Sequence, residues 1–202
     1  MIYNRIMKNA FMKLQKLSFY TFCFLSFLSC ESASIYSSSL TKIIWVTNDG
    51  VGNGAFGSLN AADDFCDNDS NNPDTSASYK AMIAFPGQRI ACTTANCTST
   101  SENSNWVLTA NTSYYRPDGT LIGTTNSGGI FTSLSNAIES VGAATYTGLT
   151  SNWTTGNTCN SWTNTAGVAH VGDSDSSNVS TLLANDAVGS CLQDLQLICV
   201  EQ

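Results

Sequence analysis

The sequence predicts an α+β domain in which mostly antiparallel strands and long disulfide-held loops outweigh one or two short helices. Three observations predict it. Only 11% of the 202 residues are charged, while Ser, Thr, Asn and Gly abound, so the charged helix formers that build a bundle are scarce. Short β-rich apolar runs are punctuated by turn signals rather than by long helical periods. Of the eight cysteines, six lie in the body of the chain, an even number that suits a bridged framework. The length suggests one domain, with enough chain for a core that needs no metal or oligomer to support it.

Taken in order, the N-terminus is an address. Arg5, Lys8, Lys13 and Lys16 are half of the eight basic residues of the whole chain. Residues 17–29 (LSFYTFCFLSFLS) follow without a charge. A membrane span needs about 20 apolar residues, so this stretch is too short and fits the core of a signal peptide over 1–29. The rival is a buried core helix, against which the basic lead and the polar switch at Glu31 argue. Leu28-Ser29-Cys30 resembles the end of a bacterial lipobox, although Phe27 stands where Leu is usual. Cys30 is therefore the expected lipidation site, and residues 30–41 the expected tether to a domain over 42–202. Cleavage nearby by an ordinary signal peptidase would instead give a soluble secreted protein.

Residues 43–46 (IIWV) predict a first strand, and 48–57 (NDGVGNGAFG) a glycine-rich turn without the Lys of a phosphate loop. Ser58 predicts a helix cap, with Leu59, Ala62, Phe65 and Cys66 on one face. Residues 67–78 are a loop, and 79–85 (YKAMIAF) a second strand. Residues 106–108 (WVL) form a third apolar run. Tyr114-Tyr115 and 120–122 (TLI) flank RPDG at 116–119, where proline presets φ and glycine accepts positive φ, so a strand–turn–strand is expected. Residues 144–149 (ATYTGL) are a further strand, and 191–200 (CLQDLQLICV) close the chain with Leu195, Leu197 and Cys199 alternating inward.

The cysteines left after Cys23 and Cys30 are Cys66, Cys92, Cys97, Cys159, Cys191 and Cys199. Spacing alone favours one local bridge, Cys92 to Cys97 across TTAN, and leaves the other four open. Zinc would be supported by paired CxxC motifs; there are none, and His170 is the one histidine of the chain.

Four motifs carry a family resemblance: VTNDGVGNGAFGSLNAADDFCDND, YKAMIAF, YTGLTSNW with TCNSWT, and LQLICVE. Together they resemble the domain of unknown function (family 1554) found in many leptospiral surface lipoproteins. That domain is similar in turn to the endostatin branch of the C-type lectin-like fold. The likeness runs from about Trp45 to Glu201. It implies that Cys66 bridges to Cys199 and Cys159 to Cys191, with Cys92–Cys97 a local extra, and that the first and last strands lie side by side.

Calcium-dependent lectins of that fold use Glu-Pro-Asn or Gln-Pro-Asp and then Trp-Asn-Asp. Neither occurs here: Asn72-Pro73-Asp74 comes too early and Trp162-Thr163-Asn164 lacks the acid. Asp67, Asp69 and Asp74, or Asp173 and Asp175, are candidate calcium ligands, with solvated turns as the blander explanation. Of Trp106, Trp153 and Trp162, each suits a core, and Trp153 is the one expected partly exposed as a partner contact. His170 with the abundant serines makes no Gly-x-Ser-x-Gly elbow, so no catalytic residue and no cofactor is expected.

Beyond Cys30 the chain carries four basic against fifteen acidic side chains, a formal −11. Such a body is repelled by nucleic acid phosphates, which excludes that partner class. The expectation is a non-enzymatic binding module for adhesion at the outer membrane or cell surface, or in the periplasm or medium if unanchored. Its ligand would be a host matrix or plasma protein. A calcium-independent carbohydrate binder and a structural envelope protein are the alternatives.

Overall fold

A computed structural model describes residues 41–185 and 188–202. The signal segment, Cys30 and the tether to residue 40 lie outside the described residues. Thr41, expected at the end of the tether, is instead the first residue of a strand.

Five strands form one sheet: β1 (Thr41–Val46), β2 (Tyr79–Ala81), β3 (Ser113–Tyr115), β4 (Leu121–Thr124) and β8 (Ile198–Glu201), in the order β2-β8-β1-β3-β4. β1 runs parallel to β3; the other pairings are antiparallel. The first and last strands lie side by side, with Ile44 opposite Val200, Trp45 opposite Cys199 and Val46 opposite Ile198.

The unbroken apolar runs of β1 and β8 follow from this position. A strand in the middle of a sheet covered on both faces has no polar side to show. Ile44, Val46, Ile198 and Val200 enter one core with Met82, Tyr114, Ile122, Phe131 and Trp153. Trp45, Leu197 and Cys199 enter a second core with Leu59, Ala62, Tyr79, Tyr146 and Trp162. The expected one-sided alternation at the C-terminus is thus corrected: Ile198 and Val200 are as buried as Leu197 and Cys199, while Leu195 is only half-buried.

The helix α1 (Leu59–Asn68) starts where the sequence predicts. Ser58 is extended at φ −144°, and its Oγ accepts the Ala61 N–H at 3.1 Å. Leu59, Ala62 and Cys66 are buried against the second core. Phe65 is not: it is 38% exposed, because it stands roughly 90° round the helix from that narrow stripe.

β2 is shorter than the 79–85 run predicts. Met82 still donates to Ile198 O at 2.7 Å, but Ala84 donates to Thr147 O at 2.7 Å. The segment leaves the first sheet and crosses to the second, which keeps it apolar throughout without being a strand. The 106–108 run is likewise core without being a strand: Val107 and Leu108 are buried, and the Trp106 indole N–H donates to Gly129 O at 2.9 Å. The RPDG turn joins β3 to β4, with Gly119 at φ +86° and its N–H on Arg116 O.

The second sheet, in the order β5-β6-β7, comprises β5 (Ala144–Tyr146), β6 (Val168–Asp173) and β7 (Val188–Ser190), all antiparallel. Two further helical pieces are α2 (Cys159–Trp162) and α3 (Val179–Leu183). α2 is a single turn in which Cys159, Asn160, Ser161 and Trp162 all have φ between 51° and 60°. Left-handed backbone costs roughly 1–2 kcal/mol per non-glycine residue. The turn is held by Trp162, fully buried, stacked on Phe56 at 5.0 Å and edge-on to Tyr146 at 5.5 Å, with its indole N–H on Ala84 O at 2.9 Å. Among the described residues no helix is long and apolar enough to cross a membrane.

Candidate functional site

Three disulfides set the frame for any site. Cys66 on α1 is bonded to Cys199 on β8, Cys159 of α2 to Cys191, and Cys92 to Cys97. These are the pairs that the family resemblance implies. The first ties α1 to the sheet; the second ties the left-handed turn to the segment after β7.

Trp153 is a correction. It was expected partly exposed, yet it is 1% exposed. The chain turns back on itself at 150–154, with Trp153 N on Thr150 O at 3.1 Å and φ +71° at Trp153. That geometry aims the indole inward. Its N–H donates to Phe131 O at 3.1 Å, and the ring meets Trp106 edge-on at 6.1 Å. A side chain so enclosed cannot meet a partner.

The first acidic group serves the backbone. Asp67 Oδ1 accepts the Tyr79 N–H at 2.7 Å. Asp69 Oδ1 accepts Asn48 N–H at 2.9 Å and Asn71 N–H at 2.7 Å. Asp74 Oδ1 accepts both the N–H and the hydroxyl of Ser76, which lowers its pKa from the ordinary value. The loop expected over 67–78 begins only at Asp69, because α1 runs on to Asn68; these carboxylates hold that loop and the glycine-rich turn in place.

Asp173 and Asp175 behave differently. They line an open groove of about 660 Å³ on the β5–β6–β7 sheet, with Asn185, Ser190 and Gln193 as further polar groups and Val171, Val188 and Leu195 as apolar walls. Gly142 forms part of the rim: a Cβ there would strike the Asp175 carboxylate. The Asp173 carboxyl is held above its ordinary pKa, first by burial and then by the hydrogen bond and repulsion from Asp175. Two carboxylates fall well short of the six to eight oxygens calcium takes. Among the described residues no cluster of three or more His, Cys, Asp or Glu is placed to hold a metal.

The raised pKa has a definite sign. The folded state keeps the Asp173 proton longer than the unfolded chain does, so the ionised Asp173 carboxylate opposes folding at neutral pH and the opposition is absent below the unfolded value, about 3.9. Asp173→Asn is therefore expected to raise the melting temperature at pH 7, with the gain over wild type shrinking as the pH falls toward about 4 and gone below it. A gain that persists unchanged at pH 3 would mean that packing rather than charge is responsible.

His170 lies on β6 and is half-buried, which lowers its pKa. Its Nδ1 accepts the Asn157 N–H at 2.8 Å, so the imidazole is engaged in holding the loop before α2.

Neither groove-forming strand after β5 was predicted from the sequence. In β6 (VAHVGD) the alternation is blurred by Gly172, and β7 is only three residues, VGS. The one signal for this site was the Asp173/Asp175 pair itself.

The frame and its grooves define a disulfide-locked, loop-rich α+β domain with two small sheets. Within that class, the chain belongs to the family described as "Protein of unknown function (DUF1554)", whose pattern matches residues 49–180. The match stops short of β7, β8 and the LQLICVE motif. No curated protein matches the chain.

Proposed function

We propose that this protein is an exported, lipid-anchored binding module of the bacterial cell envelope or surface, carrying a C-type lectin-like domain that begins with β1 at Thr41. In this reading the signal peptide spans 1–29 and Cys30 carries the lipid. The domain is non-enzymatic, with host matrix or plasma proteins as partners. The observation that carries the reading is the oxidation of all six cysteines of the described domain into three bridges. Structural disulfides suit compartments outside the cytoplasm. The side-by-side first and last strands, and a helix-to-last-strand bridge enclosing an inner bridge, favour the lectin-like frame. The acidic body and the loss of the calcium-lectin triplets favour recognition by another chemistry.

Intact mass of the protein recovered from cells tests the anchor. A mature chain starting at Cys30 with added acyl mass is expected, and reduction of three disulfides adds six hydrogens. A chain cut elsewhere without lipid removes the anchor. Protease treatment of intact cells tests the surface placement. Degradation is expected; full protection until the outer membrane is breached would exclude an adhesin.

A second reading, calcium-independent carbohydrate binding, is favoured by one observation: the β5–β6–β7 groove offers carboxylate, amide and hydroxyl groups beside apolar walls. Sugar hydroxyls pair with such groups. A glycan array run with and without calcium decides it, and silence in both conditions removes it.

A further inference from the structure

A second groove, of about 590 Å³, lies between α1 and the start of the glycine-rich turn, lined by Asp49, Gly50, Ala61, Asp64, Phe65 and Asn68 together with Asp69 and Ser70. Its wall is the outer face of α1, where the 38% exposed Phe65 ring sits one residue from Asp64. Single exposed apolar residues need no explanation. An aromatic ring in a groove with three carboxylates is a different matter, because it pairs an apolar surface with a strongly negative field.

The charges are not equivalent. Asp69 is committed: its carboxylate accepts the Asn48 N–H at 2.9 Å and the Asn71 N–H at 2.7 Å. It thereby ties the rim of the groove to the end of α1. Asp64 accepts no hydrogen bond at its carboxylate from the described residues, and Asp49 accepts one, from exposed Asn48 Nδ2 at 3.2 Å. No Lys or Arg lines the groove. The cations of the described chain are placed elsewhere. Arg89 is paired with Asp63, Arg116 donates to the carbonyls of Ala137 and Glu139, and Lys42 and Lys80 stand on β1 and β2.

We propose that this groove docks an arginine side chain of a protein partner, with the guanidinium plane on the Phe65 ring and its N–H groups on Asp64 and Asp49. The proposal rests on the reading of the domain as a binding module and names the chemistry of one partner contact. Charge and shape are both complementary to that side chain. A guanidinium is weakly hydrated, stacks on aromatic faces and presents several donors in one plane to carboxylates. An ammonium shares only the charge. The walls are preorganised: α1 is fastened to β8 by the Cys66–Cys199 bridge, and the turn is fastened to α1 through Asp69. Little ordering is left to oppose binding.

The probe is a tetra-arginine peptide, with tetra-lysine and tetra-glutamate peptides for comparison, titrated calorimetrically into the full chain with its disulfides intact. Tetra-arginine is expected to bind more tightly than tetra-lysine, and tetra-glutamate not to bind. Phe65→Ala should weaken tetra-arginine binding about 2–5-fold, and Phe65→Tyr should preserve it. Asp49→Asn with Asp64→Asn should weaken it by about tenfold or more and flatten its salt dependence. Asp175→Asn, in the other groove, should change nothing. The proposal is overturned if Phe65→Ala and the Asp49/Asp64 pair bind like wild type, which would mean diffuse attraction to net charge. It is equally overturned if Asp175→Asn alone removes binding. Failure of the anchor or surface tests would leave this measurement untouched, so the two can fail separately.

Discussion

Replacing Cys66 and Cys199 together by alanine is expected to destabilise the domain by about 5 kcal/mol as an upper estimate. The bridge closes a loop with a sequence separation of 133 residues, so its removal frees the most chain entropy in the unfolded state. The same relation gives about 4 kcal/mol for Cys159–Cys191, separated by 32, and about 2 for Cys92–Cys97, separated by 5. Domains have a net stability of about 5–15 kcal/mol, so losing the first bridge is enough to unfold a marginal one. All three pairs close contacts inside the cores: Cys66, Cys159, Cys191 and Cys199 are fully buried, and Cys92 and Cys97 nearly so. Urea unfolding of the three double-alanine variants checks the ranking. Equal losses at the short and the long loop would show that burial of the sulfurs, rather than loop closure, sets the cost.

Asp63→Ala carries the second large effect, a loss of about 3–5 kcal/mol. Arg89 is 0% exposed, and its guanidinium meets Asp63 in a fork: Nη1 to Oδ1 at 2.7 Å and Nη2 to Oδ2 at 2.8 Å. Nη1 also donates to Ala81 O at 2.8 Å and Nε to Asn105 O at 3.1 Å. The Asp63 carboxylate in turn accepts the Ala81 N–H at 3.0 Å. One pair therefore joins α1, β2 and the loop near residue 105. Removing the carboxylate leaves a buried cation with only carbonyl partners and an unpaired strand N–H. Replacing both residues, as Asp63→Leu with Arg89→Met, removes the charge rather than orphaning it and is expected to recover much of the loss. Thermal unfolding of the single and double variants distinguishes the cases. A double variant as damaged as Asp63→Ala would mean that the carbonyl contacts matter more than the charge pair.

The ion pair also shows where sequence signals end. Asp63 and Arg89 are 26 residues apart, and nothing local marks either one as paired. The same holds for Phe65, whose helical spacing put it with Leu59, Ala62 and Cys66. Helix period places a side chain at an angle, but only the neighbours decide how wide the buried stripe is. In Trp153 a positive φ turned the indole inward, a conformation that its residue type does not announce. Gly142 and the short β7 similarly leave a groove that exists only because β5, β6 and β7 come together.

Other features were legible because their causes are local. Ser58 caps α1 through its own hydroxyl. RPDG makes its turn because proline and glycine bias φ at the positions where the turn needs them. The 43–46 run becomes a strand because β-branched and aromatic residues suit a pleated backbone. The even cysteine count pointed to bridges, and spacing alone picked out Cys92–Cys97. Cys66–Cys199 and Cys159–Cys191 came only with the family likeness. Capping, turn formation and strand propensity act within a few residues of chain, and the amino acids carry them wherever the chain goes. Which face is buried, which carboxylates stay free and which cysteines meet depend on segments brought together across the whole domain, and those the packing of the two sheets and α1 decided.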